Sequence, residues 1–259
     1  MKACACRLFF TSELRAAQDP GESSYVVSVV SAGWEDRASQ WLAWARTPGH
    51  DAYWRYRAAF FAIVPPPVGR TLEVGCGEGR VTRDLAARGH AVTAVDGSPA
   101  LVAAAAGGDP QGTYLIADAC ELPFEDASFD LVVAYNMLMD VQDMPRAVGE
   151  AARVLTATGR FCACVTHPAT DAGAWRAARD ADVHDYLRGG TFVLDDERDG
   201  LRMRWDGHRH SLEHYSRALE RAGLLLEAIR EPPPDPPDGR YALWSRVPMF
   251  LMFRARRAD

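Results

Sequence analysis

Between residues 70 and 166 the apolar positions change period again and again. Short runs of branched and apolar residues at Arg70–Gly75, Ala91–Asp96, Thr113–Ala117, Phe129–Tyr135 and Arg160–Thr166 predict five strands. Between them, Arg80–Arg88, Ser98–Ala106 and Asp143–Leu155 carry helical spacing. Gly89 stops the first of these, and Ser98 followed by Pro99 opens the second as N-cap and first position. Pro145 falls in the first turn of the third, where proline is tolerated. Strand–helix alternation of this kind builds right-handed βαβ crossovers and a parallel sheet with helices on both faces.

The flanks follow other rules. Residues 34–64 are rich in aromatics at helical spacing, broken near Pro48-Gly49 and ended by Pro65-Pro66-Pro67. Residues 168–210 are polar, aromatic and glycine-containing, with short strands expected at Thr191–Leu194 and Leu201–Trp205. They read as an insertion covering the carboxyl edge of the sheet. Ser211–Ala222 is a helix ended by Gly223, Leu224–Arg230 a strand, Glu231–Gly239 a proline-rich loop and Tyr241–Arg254 a final strand. A loop that short permits an antiparallel pairing and no parallel crossover. The expected organisation is a loosely ordered segment over 1–33, a helical cap over 34–67 and one doubly wound α/β domain over 68–259.

Composition narrows the function. The 259 residues carry a formal net charge of −6 and a single lysine, Lys2. Nothing in that balance resembles a binder of phosphate backbones, so nucleic acid is not the expected partner. No apolar run reaches the roughly 18 residues that cross a bilayer, and the first ten residues make a poor signal peptide. A cytoplasmic protein with no membrane partner is expected. Of the six cysteines, Cys76 sits in a glycine turn and Cys162 and Cys164 alternate along a strand, as small buried residues of a reducing compartment do. No metal site is expected, because the C-x-C pairs lack a second pair at ligand spacing.

The chemistry concentrates where strands end. Leu72-Glu73-Val74-Gly75-Cys76-Gly77-Glu78-Gly79-Arg80 is a strand running into a glycine turn that opens a helix. The turn spaces its glycines G-x-G-x-G, whereas a dinucleotide turn reads G-x-G-x-x-G, so no pyrophosphate is expected. The acid at Glu73 suits an ammonium group better than a phosphate. Asp96 ends the second strand, about twenty residues further on, where a carboxylate accepts both ribose hydroxyls. Asp118 follows the third strand, in reach of an adenine amino group, and Asn136–Asp140 follows the fourth.

Taken in order, TLEVGCGEGRVTRDLAARGHAVTAVDGSP from Thr71, IADACELPFEDASFDLVVAYNMLMDV from Ile116 and EAARVLTATGRFCACVTHP from Glu150 resemble the class I S-adenosylmethionine-dependent methyltransferases. The likeness is greatest to the small-molecule branch that includes the ubiquinone and menaquinone biosynthesis type, and it covers residues 68–168. It implies a Rossmann-like, seven-stranded, mostly parallel sheet with the last strand antiparallel, and S-adenosylmethionine as cofactor. It further implies that Glu73, Gly75, Cys76, Gly77 and Gly79 form the cofactor turn, and that Asp96 holds the ribose with Gly97 and Ser98 beside the adenine. Asp118 and Ala119 would meet the adenine edge, and Ala134, Tyr135 and Asn136 the methionine and methyl end. Many relatives carry a histidine pair where this chain has Met139-Asp140, so no role transfers to that pair.

For catalysis His167, after the fifth strand, is the first candidate base and Asp140 the second. Against these stand a loop histidine fixing the backbone before Pro168 and a capping or solvated acid. Tyr53, Trp54, Tyr56 and Arg57 are candidates for an aromatic lid over the sulfonium, in competition with plain core packing. Trp175, Tyr186, Phe192, Trp205 and His208 are candidates to line an acceptor pocket. His208, His210 and His214 tempt a metal reading, for which H-x-H-x-x-x-H alone is thin support. The expected activity is methyl transfer to a small molecule at oxygen, nitrogen or carbon, by a monomer or homodimer. An RNA- or protein-modifying enzyme on the same core and an inactive cofactor-binding module remain as rivals.

Overall fold

A computed structural model describes residues 32–171, 186–187, 189–237 and 239–258. The sheet is assembled from β1 (Arg70–Val74), β2 (Ala91–Asp96), β3 (Thr113–Ile116), β4 (Phe129–Tyr135), β5 (Leu155–Thr166), β8 (Leu224–Arg230) and β9 (Phe250–Arg257). Its order is β3-β2-β1-β4-β5-β9-β8, and β9 runs antiparallel to both neighbours. The order reverses between β1 and β4, which opens a crevice at their carboxyl ends.

Alternation along the central strands divides the core in two. On β4, Val132 and Ala134 face one layer, while Leu131, Val133 and Tyr135 face the other. The first layer is closed by α5 (Met144–Val154) and α7 (Leu212–Arg221), through Met144, Val148, Ala151, Tyr215 and Leu219. The second is closed by α2 (Tyr53–Phe61) and α3 (Arg80–Ala86), through Tyr53, Tyr56, Phe60, Val81 and Leu85. Cys162 and Cys164 lie buried in that second layer, and all four described cysteines are free thiols. α4 (Pro99–Gly108) is capped by Ser98, whose Oγ accepts from the Leu101 amide at 3.2 Å.

Three sequence expectations are corrected. The last strand begins at Phe250, not Tyr241, because Gly239–Ser245 forms a 3-10 turn and Pro248 follows it. The antiparallel pairing holds, but the connection is longer than a hairpin loop. The helical cap starts earlier than expected: α1 spans Ala32–Arg46. After the short α6 (Pro168–Asp171), the insertion holds a longer hairpin than predicted: β6 (Gly190–Arg198) and β7 (Leu201–Arg209) pair antiparallel along their full length. Asp199 and Gly200 make its two-residue turn with φ of 50° and 78°, the mirror-image turn that fits the twist of a hairpin. The segment 1–31 and Trp175 lie outside the described residues.

Candidate active site

The end of β1 supplies the first wall. The amides of Gly75 and Cys76 both donate to the Val95 carbonyl, at 2.8 and 3.0 Å, which bends the chain at once. Gly75 has φ of 72°, and a Cβ there would come within 2.5 Å of the Met137 side chain. Glycine is required at that position by conformation and by space alike.

Three carboxylates meet at this edge, and Glu73, Asp96 and Asp118 line one cavity. Glu73 is buried and accepts a hydrogen bond from the Thr82 hydroxyl. Burial lifts its carboxyl to about 8, with the Thr82 bond opposing and the Asp96 charge adding. Asp96 accepts from the Gly77 amide at 2.8 Å and from the Ser98 amide at 2.9 Å. Its pKa is raised by burial, against the pull of those two amides. Asp118 accepts from the Cys120 amide at 2.8 Å. Asn136, after β4, takes φ of 53°, and its Oδ1 is buried with no hydrogen-bond partner among the described residues.

The opposite wall comes from the chain's flanks. α1 brings Trp34, Arg37, Trp41 and Trp44, and β7 brings Trp205. The Trp205 ring meets Trp41, Trp44 and Trp34 edge to face, with centroids 5.6, 6.1 and 6.4 Å apart. Arg37 ties α1 to β7 through Asp206 at 2.6 Å. Arg80 reaches Asp51 at 2.9 Å and lies over the rings of Trp41 and Tyr53. The enclosed volume is about 1350 Å³.

Most of the predicted cofactor residues, among them Gly75, Cys76, Gly77, Gly97, Ala119, Tyr135 and Asn136, line this cavity, but Gly79 does not. Ser98 and Ala134 do not line it. Ser98 is spent on its helix cap and on Glu35, at 2.5 Å, and Ala134 is packed in the first core layer. The candidate lid moves too. Tyr53 bonds Asp84, Tyr56 packs edge-on against Phe250, and Trp54 stacks with Arg57 at the surface. None of the four lines the cavity: Tyr53 and Tyr56 belong to the core, as the competing reading had it, and the aromatics of α1 that line the cavity are Trp34, Trp41 and Trp44.

His167 is likewise corrected. Its Nε2 meets the Glu231 carboxylate at 2.7 Å and its Nδ1 accepts from the Ala169 amide at 3.2 Å, so both ring nitrogens are engaged, one by a distant side chain and one by the backbone after Pro168. The imidazole does not line the cavity, and general base catalysis by it is dropped. Asp140 and His208 do line it, as does Phe192, whereas Tyr186 accepts from the Leu212 amide away from it. His210 lies 3.1 Å from His214 between ring nitrogens, and burial lowers its pKa to about 4. Among the described residues no group of three or more side chains is arranged to hold a metal ion. Arg37, Arg80, Trp41, Trp44 and His50 were missed in the sequence. All but Arg80 lie on the aromatic segment 34–64, and Arg80, which ends the glycine-turn motif, was given no role there.

Residues 72–163 match the family described as methyltransferase domain. A solved S-adenosylmethionine-dependent methyltransferase from Mesorhizobium loti superposes with a TM-score of 0.64 at 28% identity, over 80% of this chain and 98% of that one. Residues 72–163 are thus a methyltransferase domain, in a fold shared with a solved S-adenosylmethionine-dependent methyltransferase. A demethylmenaquinone methyltransferase of Clavibacter sepedonicus is 32% identical over 151 residues, which are 57% of this chain and 59% of the relative. One from Tropheryma whipplei is 35% identical over 122 residues, 46% of this chain and 50% of the relative. The chain thus matches little more than half the length of these curated relatives. In the methyltransferase domain, the shared part is the sheet edge with its glycine turn; α1 lies before the matched residues 72–163 and the β6–β7 hairpin after them. No described helix is long and apolar enough to cross a membrane.

Proposed function

We propose that this protein transfers a methyl group from S-adenosylmethionine to a small-molecule acceptor held between the sheet edge and the α1–hairpin roof. The observation that carries the reading is the convergence of Glu73, Asp96 and Asp118 on one cavity beside the glycine turn. Their chemistry fits a nucleoside with a charged amino-acid tail: Glu73 faces an ammonium, Asp96 the ribose hydroxyls, and Asp118 with Ala119 the adenine edge. Gly75, Cys76, Gly77 and Gly97 give backbone that a ligand can approach closely. Asn136 offers its unpartnered Oδ1 near Tyr135, where the methionine end would lie. Buried polar atoms without partners are rare in folded proteins. Among the described residues, Arg37, His50, Asn136 and His208 each hold one such atom, and all four residues line this cavity.

When bound, S-adenosylmethionine supplies an electrophilic methyl on a positively charged sulfur. The chain's own task is to align an acceptor opposite that methyl and to exclude water. The tryptophans of α1 and β7 do the excluding. The volume of about 1350 Å³ exceeds the roughly 300–1,000 Å³ of a pocket for one ligand, leaving room for cofactor and acceptor together. Acidic side chains outnumber arginines along its walls, which disfavours RNA as the acceptor. The same reading has the protein act in the cytoplasm, as a monomer or homodimer.

Incubating the protein with methyl-labelled S-adenosylmethionine and a cell extract separated by size tests the acceptor class. Label should appear in the small-molecule fraction. Label confined to RNA or protein, or none in any fraction, rejects the small-molecule reading.

A further inference from the structure

We infer that His50 receives the acceptor's proton, and that the acceptor is an uncharged aromatic molecule bearing a hydroxyl. The inference rests on the methyltransferase reading of the same cleft. His50 follows α1, lines the cavity and is itself only 4% exposed. Its Nε2 lies 3.2 Å from the Arg198 carbonyl oxygen, which can only accept, so Nε2 carries the hydrogen. That fixes the tautomer and leaves a lone pair on Nδ1, which is buried and has no hydrogen-bond partner among the described residues.

The ring is held from several sides. Arg198 donates back to the His50 carbonyl at 3.0 Å, and the imidazole stands edge-on to Trp44 with centroids 5.3 Å apart. Asp199 lies 3.5 Å from Nε2, on the side away from the lone pair, where a carboxylate steadies an imidazolium once it forms. The other charges nearby are already matched: Asp51 with Arg80, Asp196 with Arg198, and Asp206 with Arg37. A charged acceptor would find no free counter-charge among these pairs, whereas a flat neutral ring finds Trp41, Trp44 and Trp205. His208 borders the same cavity, but its ring contact is stacking on His210, which fixes no tautomer.

The step balances with these parts. The acceptor oxygen bonds the methyl carbon as the carbon–sulfur bond breaks, and that bond's electron pair stays on sulfur, which becomes neutral. The hydroxyl proton passes to Nδ1 of His50, which becomes the imidazolium.

Binding tests this without knowing the natural acceptor. The full chain, saturated with S-adenosylhomocysteine, is titrated with 2-naphthol, 2-methoxynaphthalene and 2-naphthoate, following tryptophan fluorescence. The naphthol should bind about tenfold tighter than its methyl ether, and the naphthoate should not saturate. His50→Gln keeps a donor for the Arg198 carbonyl but has no acceptor at the Nδ1 position. It should bring the naphthol down to the level of the ether while leaving S-adenosylhomocysteine binding intact. Equal binding of naphthol and ether by the wild type, an unchanged ratio in the variant, or tight naphthoate binding overturns the inference. If the variant does not fold, the wild-type imidazole nitrogen resonances decide: naphthol must shift Nδ1 of His50, and a shift confined to other histidines overturns it. Failure of the wild type to bind S-adenosylhomocysteine would instead sink the methyltransferase reading.

Discussion

The two walls of the cleft are held by different forces. On the sheet side, backbone amides of Gly75, Cys76 and Gly77 are locked to β2, and the carboxylates hang from strand ends. On the roof side, α1 and the β6–β7 hairpin meet through side chains, chiefly the tryptophans and the Arg37–Asp206 pair. Backbone geometry of this kind suits a cofactor that is always the same, and a side-chain wall can be refitted to a different acceptor. The two walls should therefore fail differently when altered.

The largest effect is expected on the sheet side. Asp96→Ala should weaken S-adenosylhomocysteine binding by about a hundredfold in calorimetry, since bonds to a charged group contribute about 1.5–3 kcal/mol. Next comes Gly75→Ala, where a methyl meets Met137 at a left-handed backbone position. It should cost about 2 kcal/mol or more and lower the melting temperature by roughly 4–8 °C. The roof provides the contrast. Trp205→Ala should lower stability by about 2 kcal/mol in a denaturant titration yet leave cofactor affinity within about threefold. A loss as large as that of Asp96→Ala would erase the distinction between the walls.

A smaller, sharper signal comes from Glu73. Its carboxyl titrates near 8 in the folded chain and near 4.5 unfolded, so folding takes up a proton between those values. Stability of the ligand-free protein should fall as pH rises through that window and level off above it. An ammonium beside Glu73 favours the carboxylate, so cofactor binding at pH 7 should release close to one proton. Calorimetry in buffers of different ionisation enthalpy reads that release, and Glu73→Gln should abolish it. The smallest effect is expected from His167→Ala: about 1 kcal/mol of stability, through its bonds to Glu231 and Ala169, and no change in the pH dependence of turnover.

Legibility in the sequence followed the same division. Strand ends, glycines and their acids are local features, so the turn at Gly75–Gly79 and the positions of Asp96 and Asp118 could be read directly. The seven-stranded order with one antiparallel strand followed from the family resemblance and from the absence of a crossover before β9. The roof was harder, because aromatic residues at helical spacing look alike whether they pack a core or cover a cleft. Tyr53, Trp54, Tyr56 and Arg57 were candidates for a lid, against core packing; none of them lines the cavity, whereas Trp41 and Trp44, one helix earlier, do. Asp199-Gly200 is a strong hairpin signal that would have fixed the register of β6 and β7, and it was passed over. His167 illustrates a limit of another kind: its place after β5 is right for a ligand, but tertiary contacts to Glu231 occupy the ring.

The central claim is that one nucleoside with an amino-acid tail fits the turn and its three carboxylates. Titrating the wild-type chain with S-adenosylhomocysteine and, separately, with NAD tests it most directly. The account predicts saturable binding of the first at about micromolar strength and no heat from the second. Binding of NAD, or silence from both, would contradict it.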